Sequence, residues 1–430
     1  MIEKEPKNPN WIGNFDPTAS EGAEYWATFL PNNGMPANER TLKLSIQVVT
    51  DSATTVIVEV GNRELTRLPI AENSKDIITL TNADVYMAPE EAGSAKNKGI
   101  HIYSEDRKTP FSCYAYSEAG TGDGSTRTSA LLLSTHVLGT QYYVQTYQTD
   151  INATEFAVVA TEDNTNAIIS IVSRRDLDNP EVITQTLKKG QVYMVRRLQQ
   201  SEDVGADKVN LSGSFICADK PIAVFQGNDF AKVRQSGAGG FSGNHMFNQA
   251  FPTEQLGTEY YIGLTEHARS NGYNILATED NTVVNIRGQS STSVTLNAGQ
   301  TLPAVNWLSR TSGDKYVRIK SDKPIIVTHY QTSGNTSETD EYLWGNPTSA
   351  TMIPWERRFK ESSFFTTTVG EESEISLMYV QVAAMTGDMS RFKLDGQNIS
   401  VSYSQIPNLA SMAIANIEIP TEGRHTLENT

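Results

Sequence analysis

"ATEDNT", Ala160–Thr165, returns letter for letter at Ala277–Thr282, and the reading of those six residues decides the fold. Each copy is the polar tip of a longer apolar run: "VVATEDNTNAIISIV" at Val158–Val172 and "ILATEDNTVVNIR" at Ile275–Arg287. Two β-rich runs joined by Asp, Asn and Thr predict a hairpin, because those side chains bond turn backbone and tolerate positive φ. A third run of the same kind, "VVTDSATTVIVEV" at Val48–Val60, lacks the motif but keeps the pattern. The acidic pairs Glu162-Asp163 and Glu279-Asp280 therefore read as turn chemistry before they read as calcium ligands or catalytic carboxylates.

The neighbours recur with the motif. Gly139-Thr140-Gln141-Tyr142-Tyr143 aligns with Gly257-Thr258-Glu259-Tyr260-Tyr261 and with Gly22-Ala23-Glu24-Tyr25-Trp26, and Ser362-Ser363-Phe364-Phe365 is a degenerate fourth copy. Downstream come "HIYSEDRKTPFSCYAY" from His101, "FICADKPIAVFQG" from Phe215 and "RIKSDKPIIVTHY" from Arg318. Pro110, Pro221 and Pro324 are expected to open strands, where a missing N–H costs least. In "KYVRIKS" Val317 and Ile319 alternate with Arg318 and Lys320, the period of a half-buried strand.

A repeat of more than a hundred residues exceeds a solenoid or propeller-blade unit. The expectation is all-β, with four tandem β-sandwich-like modules at residues 20–118, 135–228, 256–331 and 355–430; the alternative is a propeller-like arrangement with two blades per period. Polar stretches at Glu118–Ser134, Asn228–Gln255 and Thr332–Pro354 read as connections. The fourth module is expected to be unfinished, since no "DKPI" strand follows: either the sequence is a fragment, or a partner or second copy supplies the missing edge.

Composition narrows the function. The chain has 430 residues, 38% hydrophobic and 20% charged, which is ordinary for a folded protein. With 35 Lys+Arg against 50 Asp+Glu the net charge is −15, so the summed field disfavours nucleic acid. No apolar run is long enough to span a membrane. The opening "MIEKEPKNPNWIGNFDP" has neither the basic stretch nor the apolar core of a signal peptide. Only Cys113 and Cys217 are present, as two free thiols or one bridge, too few for a disulfide framework or a Cys-rich zinc site.

Chemistry-bearing motifs are missing. The six histidines show no metal-ligand spacing, and no zincin helix, P-loop or nucleophile elbow occurs. No enzyme activity, cofactor or metal is expected. Recognition is expected instead on the long connections, with His245, Phe247 and Asn248 in "GNHMFNQAFP" and Tyr342 and Trp344 in "EYLWGNP" as the candidate contact surface. The competing reading is that these residues pack one module on the next.

Taken together, "SEGAEYWATFLPN" at Ser20–Asn32, the repeated "LGTxYY…VATEDNT…DKPIxV" and "GNHMFNQAFPTEQLGTEYYI" at Gly243–Ile262 resemble the IgGFc-binding protein N-terminal domain family. The likeness runs from about Gly22 to the last residue, and its most specific block is "GNHMFNQ…P…LGT". It implies a non-enzymatic binding or adhesion protein, extracellular or at the cell surface, like the family's members in mammalian mucus and in Bacteroidetes. A host glycoprotein, mucin or glycan is the expected ligand; immunoglobulin is a further candidate partner that the resemblance does not by itself imply. The alternative is a structural subunit of a surface filament or of a phage virion.

Overall fold

The computed structural model describes residues 21–32, 41–120, 125–148, 152–172, 180–198, 210–233, 243–266, 268, 270–303, 305–310, 314–332, 346–366 and 378–429. Nearly all regular structure in it is antiparallel β, in several separate sheets with no closed propeller. The sheets fall into four groups along the chain. The first holds two four-stranded sheets, one ordered Glu24–Ala27, Ile100–Ser104, Thr54–Val60, Arg63–Ile70, the other Ser74–Leu80, Leu42–Thr50, Ser112–Ala119, Thr126–Leu131.

The second and third groups fuse such a pair through one long strand. Phe215–Ala231 pairs through Phe215–Ala218 with Thr165–Ile171, and through Ile222–Asn228 with Thr154–Ala160. The partner changes at Pro221. Tyr316–Gln331 does the same about Pro324: Arg318–Ser321 pairs with Thr282–Arg287, and Ile325–Gln331 with Ser270–Ala277. A strand that leaves one sheet for another makes a corner there, and a residue without an N–H is tolerated where the ladder switches. Pro221 and Pro324 thus lie inside strands rather than opening them. In the first group the same two segments are separate strands, joined by a turn in which Asp106 accepts from the Lys108 and Thr109 N–H groups at 2.9 Å each.

The repeated aromatic is the inner fastening of three groups. Tyr25, Tyr142 and Tyr260 are each fully buried. Tyr142 donates to the Ile222 carbonyl at 2.6 Å and accepts from the Gly139 N–H at 3.0 Å. Tyr260 donates to the Ile325 carbonyl at 2.6 Å and accepts from the Gly257 N–H at 3.3 Å. Tyr25 joins the Phe111 carbonyl and the Gly22 N–H in the same way. One phenol therefore ties the start of the first strand to the residue just after each proline, satisfying two backbone groups that burial would otherwise strand.

The polar stretches between groups contain further strands. Thr126–Leu131, Asn244–Gln249 and Thr348–Thr351 each pair with the final strand segment of the group before them. Their short alternating patterns sit among Gly, Ser and Asn, which hid them as strands. The fourth group has a four-stranded sheet, Glu361–Thr366, Gly423–Asn429, Phe392–Leu394, Gln397–Asn398, and a three-stranded one, Met378–Met385, Leu409–Ile419, Tyr403–Ile406. Among the described residues Met378–Met385 pairs on one side only, whereas Leu42–Thr50, Thr154–Ala160 and Ser270–Ala277 pair on both.

The groups pack on one another closely. Ala157, Val159, Met194, Phe225 and Phe247 of the second join Tyr25, Trp26, Phe29 and Leu30 of the first in one core. Gly213 touches the next group's turn, where a Cβ would lie 2.3 Å from the Gly299 carbonyl oxygen, so only glycine fits that joint. Gly99 meets Gly190 equivalently, its N–H donating to the Gly190 carbonyl at 2.9 Å.

Candidate functional site: the outward sheet faces

The repeat is built on its turn carboxylates. Asn164 and Asn281 sit at φ 55° and 54°, the left-handed conformation that Asn tolerates. Asp163 accepts from the Lys189 N–H at 3.0 Å and Asp280 from the Ala298 N–H at 3.1 Å. Each carboxylate thus reaches the tip of the neighbouring hairpin rather than its own turn, while Thr165 and Thr282 close the turn by donating to the Glu162 and Glu279 carbonyls at 2.7 Å. Among the described residues no three His, Cys, Asp or Glu side chains gather to hold a metal ion.

His245 and Phe247 lie on the strand Asn244–Gln249, with exposures of 0% and 1%. Phe247 stacks on Phe225 at 5.6 Å and on Phe29 at 6.1 Å, and His245 stacks on Phe247 at 5.7 Å. Burial pushes the His245 imidazole down to about 3, so it is neutral at physiological pH, with neither ring nitrogen hydrogen-bonded among the described residues. Asn248 is half-buried and donates to Ser349 Oγ at 2.6 Å. The structure brings these three to the seams between groups. Tyr342 and Trp344 lie outside the described residues. Cys113 is buried and Cys217 half-buried, and both are free thiols.

The features that sequence reading passed over are the outward faces of the sheets that hold the tyrosines. Register defines equivalent positions: Tyr25 opposes Ile102, Tyr142 opposes Ile216 and Tyr260 opposes Ile319. The flanking residues point the other way. In the first group they are Ile57, Glu59, His101 and Tyr103. There His101 lies between Glu24 and Glu59, 2.5 and 3.4 Å from their oxygens, and stacks on Trp26 at 4.2 Å, while Arg107 covers Tyr103 at 3.2 Å. That face is occupied by its own side chains.

In the second group the same four positions are Ile168, Ser170, Phe215 and Cys217, flanked by Tyr143, whose ring meets Phe215 at 4.8 Å. Ile168 is 48% exposed, a large apolar side chain left in water. In the third they are Asn285, Arg287, Arg318 and Lys320, which line a cavity of about 280 Å³. The signal was present in the sequence as the alternate residues of "NAIIS" and "VRIKS", but only the pairing shows which of them share a face.

These features define an all-β, multi-sheet protein in which, among the described residues, no group of His, Cys, Asp or Glu is placed to hold a metal ion. A family model described as IgGFc binding protein matches residues 128–430, and the chain belongs to that family. Over 419 residues it is 24% identical to the human "IgGFc-binding protein", a match that covers 95% of this chain and 7% of the human one. The chain thus spans a small part of that relative's length. Among solved structures, an "anti-sigma factor domain-containing protein" is similar at a TM-score of 0.15 with 10% identity, covering 78% of this chain and 83% of the other. The lipid-containing bacteriophage PM2 is similar at 0.11 with 10% identity, covering 77% and 91%. Likeness at those scores carries no argument.

Proposed function

We propose that this chain is a non-enzymatic binding protein of the extracellular space or cell surface that recognises a host glycoprotein, mucin or glycan through the outward faces of its sheets. One observation carries the reading: at register-equivalent positions the inner residues stay Tyr and Ile, while the outer ones change from an aromatic–acidic set to an apolar set to a basic one. A scaffold kept inside and altered outside is what recognition by separate faces requires. Family membership and the human relative's name support a protein ligand. His245 and Phe247, buried, serve the scaffold in this reading, and Tyr342 and Trp344 stay candidates for contact. Binding to immobilised mucin glycoprotein, the same mucin stripped of glycans, and immunoglobulin Fc tests it. Saturable binding to at least one surface is expected, and no binding to any of them overturns the proposal.

A second reading, assembly into a filament or virion, draws on the strand Met378–Met385, paired on one side only among the described residues. The edge of a sheet can accept another strand. Sedimentation over a hundredfold concentration range decides it: a monomer throughout removes this reading.

A further inference from the structure

The geometry points to the cavity lined by Asn285, Arg287, Arg318 and Lys320 as a site for an oxyanion carried on a saccharide, a carboxylate or a sulfate ester. This inference rests on the glycoprotein-binding reading and gives it a ligand chemistry. Arg287 directly opposes Arg318, and Asn285 opposes Lys320, on adjacent strands, so all four side chains share one face. Like charges directly opposite each other destabilise a ladder. The fold does not demand them, because the second group builds the same ladder with Ile168, Ser170, Phe215 and Cys217.

Compensation is incomplete. Glu259, opposite Lys320 on the strand Gly257–Gly263, lies 2.8 Å from Arg318 Nε and 3.5 Å from Lys320 Nζ. Among the described residues no carboxylate pairs with Arg287, which is exposed. Three cations therefore face one carboxylate in a chain whose net charge is −15. Such a local reversal attracts a single anion, while the surrounding negative field repels a long polyanion. A volume of about 280 Å³ holds roughly one sugar ring with its acidic group. A guanidinium grips a carboxylate or sulfate through paired N–H donors, and the Asn285 amide can both donate to and accept from a hydroxyl.

The test is calorimetric titration of the whole chain with 3′-sialyllactose, galactose 6-sulfate, neutral lactose and sodium sulfate. The wild type is compared with the double variant Arg287→Gln/Lys320→Gln and with Lys188→Gln, an exposed cation in another group, and all are checked for unchanged melting temperature. One acidic saccharide at least is expected to bind and lactose not to. The double variant should bind it at least tenfold more weakly, Lys188→Gln should bind as the wild type, and added salt should weaken the interaction. Which acidic saccharide binds identifies the oxyanion as carboxylate or sulfate ester. Equal affinity for inorganic sulfate, equal affinity for lactose, or a double variant that binds unchanged overturns the inference. Mucin binding that persists in the double variant also overturns it while leaving the glycoprotein reading in place. Saccharide binding without binding to mucin, glycan-stripped mucin or immunoglobulin Fc supports the pocket and removes the glycoprotein reading.

Discussion

Two seams built on the same ladder differ in kind. On the face of the second group whose Ala157, Met194 and Phe225 join the first group's core, Glu155 opposes Arg196 across the sheet, and Arg196 reaches Glu155 at 3.2 Å and Asp229 at 2.5 Å, with both carboxylates fully buried. Burial, with the neighbouring Asp229 charge, pushes the Glu155 carboxyl well up against the pull of Arg196. Where the third group meets the second, the corresponding cross-strand pair is Gly272 and Trp307. Around that pair the seam is apolar, formed by Tyr330, Met246, Ala231 and Val233 with Tyr147, Val305 and Trp307 packed against them. Identical pairing thus supports either a buried ion cluster or an aromatic contact. What fills the seam is a choice left to the side chains after the sheets are set.

The largest expected effect tests whether the ion cluster is needed or only tolerated. Arg196→Leu leaves two buried carboxylates without a cation and should lower stability by about 3–5 kcal/mol in chemical denaturation. Replacing Glu155, Arg196 and Asp229 together with Leu, Met and Leu should cost less than that single change, because no charge is then left unpaired. A triple variant as damaged as Arg196→Leu would break the comparison, since the cluster would then be more than one way of filling a seam.

On the aromatic side, Trp307 is half-buried, so Trp307→Ala should cost about 2–3 kcal/mol, below the range for a fully enclosed side chain. An unchanged melting curve would mean that the third group does not rely on this seam. Smaller again, and deliberately paired, are Tyr142→Phe and Tyr260→Phe. Each leaves a backbone carbonyl and a glycine N–H without a buried partner, and each should cost about 1–2 kcal/mol. Their near equality is the point: a cost at one tyrosine and none at the other would show that the two groups are less alike inside than their registers indicate.

A third seam, between the fourth group and the first, gives the smallest effect. Arg424 pairs with Asp51, and Ser363 donates to Asp51 at 3.4 Å. Burial, and then the Asp51 carboxylate, raise Glu21 from 4.5 to about 7. The folded state therefore holds a proton that the unfolded chain releases earlier. The stability this contributes is present below about 4.5 and is lost as pH rises through about 7. Glu21→Gln should flatten the fall of melting temperature between those pH values, by about 2 °C or less in so long a chain. A steeper fall in the variant would place the titration elsewhere.

Much of the interior was legible. "ATEDNT" names its turn, the aromatic three residues after glycine names the first strand, and alternation in "YVRIKS" separates Ile319 from Arg318. All three are local signals, carried by period and turn chemistry within a few residues. The strand Asn244–Gln249 was harder to see, because "NHMFNQ" follows a Gly-rich stretch and presents polar residues that the structure nonetheless buries. The proline positions misled for a related reason. A missing N–H forbids one ladder bond, which is equally satisfied at a strand's start or at the point where a strand changes sheets.

By itself the sequence determined that the chain is all-β, where most hairpins turn, which residues of each strand fall on opposite faces, and that no local catalytic or metal-binding motif is present. The tertiary structure alone decided which face is covered. Glu155 and Arg196 are charged residues on sheet strands, and so are Arg318 and Lys320, yet the first pair is buried and the second lines an open cavity. Period two divides a strand into two sides without saying what lies over either. That depends on contacts between residues far apart in the chain, and on whether a neighbouring sheet or only water removes the charge's hydration.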